Sequence, residues 1–64
     1  SGENLIDAQP NFNNQYNGIE VGEIGKIMKI QKFPQEIILS VKWDNGRELN
    51  VILPEDKIEI ITLH

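Results

Sequence analysis

Few side chains in this sequence can do covalent chemistry. The only histidine is His64, the last residue, and the only serine besides Ser1 is Ser40. Ser40 falls in the middle of an alternating apolar run with no histidine near it, so no nucleophile–base pair can be assembled. There are no cysteines, which removes thiolate catalysis, thiolate metal sites and disulfides together. Glu55, Asp56 and Glu59 gather near the C-terminal end without the spacing of a calcium loop. Such carboxylates are expected to be solvated or to cap a turn. Gly22 and Gly25 are followed by no helical pattern, so no phosphate-cradling loop is expected. The expectation is a protein that is not an enzyme and holds no metal or other cofactor.

The residues left for recognition are four aromatics and a few cations. Aromatic and arginine side chains dominate the energetics of protein interfaces. Trp43 with Arg47 and Phe33, joined by Tyr16, is therefore the expected protein-binding set. The structural alternative is that Trp43 packs the barrel end beside Leu49 with Arg47 over its ring. A methyl-lysine cage built from two or more of these aromatics is a further, weaker option.

Charge is unevenly distributed. The net charge is −4. Residues 1–23 carry −4, residues 26–47 carry +3 and residues 48–64 carry −3. An acidic whole repels the phosphate backbone. The alternative to protein binding is nucleic-acid-associated work, in either of two forms. One is weak nucleic-acid binding through Lys26, Lys29, Lys32, Lys42 and Arg47, provided they share a face. The other is an acidic decoy that fills the basic groove of a DNA-binding partner.

Positioning these residues falls to a small β scaffold. With 64 residues there is one domain and no more. A chain of this size buries only about 60% of its unfolded surface, so the core must be efficient. Residues 1–17 are polar and rich in asparagine, and Pro10 interrupts them. They are expected to form a loop or arm, partly disordered, to which Leu5-Ile6 could still add an edge strand. From Gly18 onward, short runs of isoleucine, valine and leucine are separated by turn signals.

Ile37, Leu39, Val41 and Trp43 alternate with Ile38, Ser40 and Lys42 along one run. Leu49, Val51 and Leu53 alternate with Glu48, Asn50 and Ile52 along the next. Asp44-Asn45-Gly46 separates the two. A two-residue Asn45-Gly46 turn would pair Val41 with Asn50 and mix apolar with polar residues on one face. A three-residue loop pairs Trp43 with Arg47, Val41 with Leu49, Leu39 with Val51 and Ile37 with Leu53. The apolar sets then coincide, as a type I turn with a G1 bulge allows.

A preceding strand over Gly25–Gln31 has Ile27 and Ile30 three residues apart. A bulge near Met28-Lys29 would put both on one face. Phe33-Pro34-Gln35 makes the turn out of it, because Pro34 cannot donate to a ladder. Leu53 to Lys57 is expected to form one 3₁₀ turn before a final strand over Ile58–Thr62.

These features together resemble an SH3-like barrel. Val21-Gly22-Glu23-Ile24-Gly25-Lys26-Ile27 resembles the glycine-spaced first strand of KOW and related small barrels. Val41-Lys42-Trp43-Asp44-Asn45-Gly46 resembles their central hairpin, and Leu53-Pro54-Glu55-Asp56-Lys57-Ile58 their turn into the last strand. The whole is also similar to small bacterial and phage proteins of unassigned function that carry a Trp-Asp-Asn-Gly turn. The resemblance covers residues 18–64 and implies an all-β barrel of four to five short antiparallel strands. Such barrels host many unrelated roles. Their lysine- and arginine-rich ribosomal members are not matched in charge, and the acidic loop and aromatic strip that read polyproline are not evident. The function expected is a non-catalytic protein-interaction module, monomeric or weakly dimeric and cytoplasmic. Its partner would be another protein or peptide. No membrane association is expected, because no apolar run reaches the ~20 residues of a membrane span.

Overall fold

A computed structural model of the chain describes residues 5–13 and 18–61. Tyr16 and His64, two residues singled out by the sequence, lie outside the described residues. Five strands form one antiparallel sheet: β1 (Leu5–Ala8), β2 (Ile24–Lys32), β3 (Ile37–Trp43), β4 (Glu48–Leu53) and β5 (Ile58–Ile61). Their order is β4-β3-β2-β1-β5. The sheet is not closed: β4 and β5 stand at its two ends. Among the described residues no helix is long and apolar enough to cross a membrane.

The central hairpin has the register that parity demands. Val41 pairs with Leu49, Leu39 with Val51 and Ile37 with Leu53. The Trp43 amide donates to the Arg47 carbonyl at 2.8 Å, which closes a three-residue loop. Gly46 has φ +92°, the left-handed conformation this loop requires. In β2 the register against β3 shifts between Ile27 and Lys29, leaving Met28 as the extra residue. Ile27 then pairs with Val41 and Ile30 with Leu39, so both face inward despite their spacing.

Two features differ from the expectation. The first concerns the N-terminal segment. Leu5–Ala8 is no edge strand, since it lies between β2 and β5 with Ile6 and Ala8 fully buried. Beyond it, Gln9-Pro10-Asn11-Phe12 makes a turn in which Asn11 has φ +73° and the Phe12 amide donates to the Gln9 carbonyl at 3.1 Å. Proline second and asparagine third suit a turn that needs positive φ at its third residue. The turn sends Phe12 into the core, where Ile19 joins it from the same connection. Residues 5–13 thus belong to the body of the fold and are no arm.

The second difference is the turn before β5. It is not a 3₁₀ turn. The Asp56 amide reaches back to the Ile52 carbonyl at 2.8 Å, a wider four-residue span, and the Leu53–Pro54 peptide bond is cis. Asp56, expected to be solvated or to cap a turn, is buried and caps this one.

The core sits on the inner face of the sheet. Ile27, Leu39, Val41, Trp43 and Val51 come from β2, β3 and β4, Ile6 and Ala8 from β1, and Phe12 and Ile19 from the β1–β2 connection. Burying side chains of this kind contributes roughly 1.5–3 kcal/mol each. The connection therefore supplies as much of the core as a strand would.

Candidate functional site

Trp43 is only 1% exposed. It ends β3 opposite Gly25, and its ring meets Phe12 with centroids 5.5 Å apart and planes tilted by 60°. That is core packing of the edge-on type aromatics prefer. Gly25 leaves the space for it: a Cβ there would meet Trp43 Cε3 at 2.8 Å. Arg47 reaches the β1–β2 connection. Its side chain occupies the space beside Gly18, where a Cβ would overlap it. The loop is tied to the same place, because Asn45 Nδ2 donates to the Gly18 carbonyl at 2.8 Å.

Phe33 is elsewhere. It follows Lys32 at the far end of the β2–β3 hairpin, where its amide donates to the Glu36 carbonyl at 2.8 Å. Trp43 and Phe33 are thus separated by the length of the hairpin, roughly 25 Å at the rise of an extended strand. The two do not line one groove. The aromatics described do not converge on a cage either. The separation is legible in the sequence, because Trp43 precedes one turn of the hairpin and Phe33 the other.

What the structure does assemble is an apolar surface at the Phe33 end. Here the inner face of β2, β3 and β4 runs past the core. Ile30 is 52% exposed although its partner Leu39 is buried, and Phe33 is 49% exposed. A groove of about 260 Å³ runs between the β2–β3 turn and the end of β4, lined by Phe33, Pro34, Glu36, Ile37, Leu53 and Pro54. The sequence signal for it was the apolar run Phe33-Pro34 beside Ile37, opposite Leu53-Pro54.

The cations divide between faces. Lys26 pairs directly with Lys42, and the bulge at Met28 returns Lys29 to that same outer face, opposite Ser40. Glu48 stands on the other side of Lys42. Lys32 pairs with Ile37 on the inner face, and Arg47 sits in the loop beside Gly18. Three of the five cations therefore share one surface. Among the described residues, no three histidine, cysteine, aspartate or glutamate side chains gather to hold a metal ion.

Asp56 caps its turn, as the sequence allows, but its reach to the β1–β2 connection had no sequence signal. Its Oδ2 accepts the Ile52 amide at 2.9 Å and its Oδ1 accepts the Asn13 amide at 3.1 Å. Asn13 Nδ2 adds a bond to the Glu55 carbonyl at 3.2 Å. The carboxylate thus joins the β1–β2 connection to β4 and fixes one wall of the fold. No protein-family model, curated protein or solved structure matches this chain.

Proposed function

We propose that this chain is a non-catalytic protein-interaction domain built as an SH3-like barrel. The strand order supports the barrel, with the first strand bridging the second and the last and a long first connection plugging the core. One observation carries the function: Phe33 stands half exposed on a groove that partly buried Ile37 and Leu53 also line, with half-exposed Ile30 on the same inner face. Half-exposed large apolar side chains beside a groove favour a partner's apolar side chains over water. The groove takes side chains from an extended protein segment.

The test is a pull-down from lysate with the wild-type domain and a Phe33→Ser variant, each with and without nuclease. Retained proteins that survive nuclease and disappear with Phe33→Ser support the reading. Retention that is indifferent to Phe33 removes this surface from it.

The lysine face favours a second reading, association with nucleic acid. Like charges directly opposite each other cost stability, and Lys26 with Lys42 is such a pair. A phosphate backbone would relieve it. Binding of this kind falls steeply with salt. Weak affinity for single- or double-stranded DNA that is insensitive to salt would rule it out.

A further inference from the structure

The two ends of the sheet are not equivalent. In an antiparallel ladder the residues alternate between those bonded to the neighbouring strand and those whose backbone groups point away. On β4, Glu48, Asn50 and Ile52 point away from β3, since the Trp43–Arg47 bond sets the phase. Both outward groups of Ile52 are already occupied by Asp56. That edge is closed over its C-terminal half.

On β5 the phase is set by the Gln9 amide, which donates to the Lys57 carbonyl at 2.9 Å. Glu59 and Ile61 then bond to β1, and the N–H and C=O groups of Ile58 and Ile60 point outward. Ile60 is 56% exposed on the inner face, although its partner Ile6 is fully buried. Among the described residues, no neighbouring strand covers this rim.

Charge says what kind of strand that would be. Asp7 and Glu59 are a directly opposed pair on the outer face of β1 and β5. Asp7 Oδ1 is buried with no hydrogen-bond partner, and the neutral Gln9 Nε2 donates to Glu59 Oε1 at 3.5 Å, so no described cation is paired with either carboxylate. With Glu55 and Asp56 in the adjoining turn and only Lys57 opposing, this end of the sheet is acidic. We propose that the free edge of β5 receives, by strand addition, an extended basic segment of another protein. Its apolar residues alternate with lysine or arginine, so that the apolar set extends the inner face beside Ile60 and the cations meet Glu59. A second copy of this chain fits less well. Any two-fold pairing of β5 with itself brings the acidic end against its own copy, and full overlap sets Glu59 opposite Glu59. The inference rests on the reading of the chain as a protein-interaction domain and assigns that role a second surface.

The probe is a blocked eight-residue peptide alternating valine with lysine, compared with one carrying glutamate in place of lysine. Binding is followed by amide chemical shifts of the full chain at low salt. The Ile58 and Ile60 amides shift most and become protected from exchange, and the lysine peptide binds about tenfold tighter or more. Ile60→Pro removes one outward donor and leaves the β1 pairing intact, a substitution that edge strands tolerate. It abolishes binding while the melting temperature stays near that of the wild type. Should Ile60→Pro not fold, Glu59→Lys decides, by reversing the preference to the glutamate peptide. Shifts centred on Phe33 and Ile37 would overturn the inference and leave the protein-interaction reading standing. So would self-association that protects the β5 amides. No peptide binding, together with no partner in the pull-down, would remove both.

Discussion

Asp56 holds both backbone polar groups of Ile52, its amide donating to the carbonyl and its carboxylate accepting the N–H. The same carboxylate accepts the Asn13 amide, so one buried side chain satisfies donors on two segments far apart in sequence. Replacing it with alanine strands both donors. Bonds to charged groups contribute about 1.5–3 kcal/mol each, and an unsatisfied donor costs a similar amount. Asp56→Ala should lower stability by about 2–4 kcal/mol. Asp56→Asn should lose less, because the amide oxygen still accepts one bond. Urea midpoints of the three proteins rank them, and equal midpoints would show that Asp56 does not hold this corner.

Two glycines resist substitution for different reasons. At Gly25, an alanine Cβ meets Trp43 and Val41 in the core, with Trp43 Cε3 at 2.8 Å. Overpacking of that kind costs typically about 1–3 kcal/mol. At Gly46 nothing lies within 4 Å, and only the positive φ resists substitution. Gly46→Ala should cost about 1 kcal/mol, and Gly46→Val more, since β-branching resists this conformation further. Thermal melts read the order. An unchanged melting temperature for Gly46→Val would contradict the three-residue loop.

Removing residues 1–17 should abolish folding. The deletion takes away β1, which pairs on both sides, and Ile6, Ala8 and Phe12 from the core. The expected far-UV spectrum is that of an unfolded chain with no cooperative melt. A cooperative transition in the fragment would place the domain boundary after residue 17.

Lys26→Glu replaces a like-charge pair with an opposite one across from Lys42. Stability should rise by a few tenths of a kcal/mol at low salt, and the gain should fade as salt is added. If the lysine face binds nucleic acid, the same change weakens that binding. A more stable variant with unchanged nucleic-acid affinity would separate the face from any such role.

The parts of the fold that local parity controls were legible in advance. The Trp43-Asp44-Asn45-Gly46 hairpin and the bulge at Met28 each followed from asking which register keeps apolar residues together. Parity assigns a face but does not say what covers it, which is why Trp43 read equally well as core or groove. The N-terminal strand was hidden by composition: Leu5–Ala8 is too short to show a period, and Phe12 stands alone among asparagines. The second role of Asp56 was hidden for another reason, because a carboxylate that caps a turn does not show which distant amide it also faces. The separation of the apolar groove from Trp43 was available from the two turn positions alone.

The place of β1 also bears on the order of assembly. The β2–β3–β4 meander pairs residues close in sequence, and each hairpin can form as soon as its second strand is made. β1 pairs Ala8 with Ile58, fifty residues later. Contacts that distant require closing a large loop before they are rewarded, which slows folding. On the ribosome the β1–β5 pairing must therefore wait until β5 emerges, and until then β1 has only its pairing with β2. During that interval the β5-facing edge of β1 is open to chaperones or to neighbouring chains.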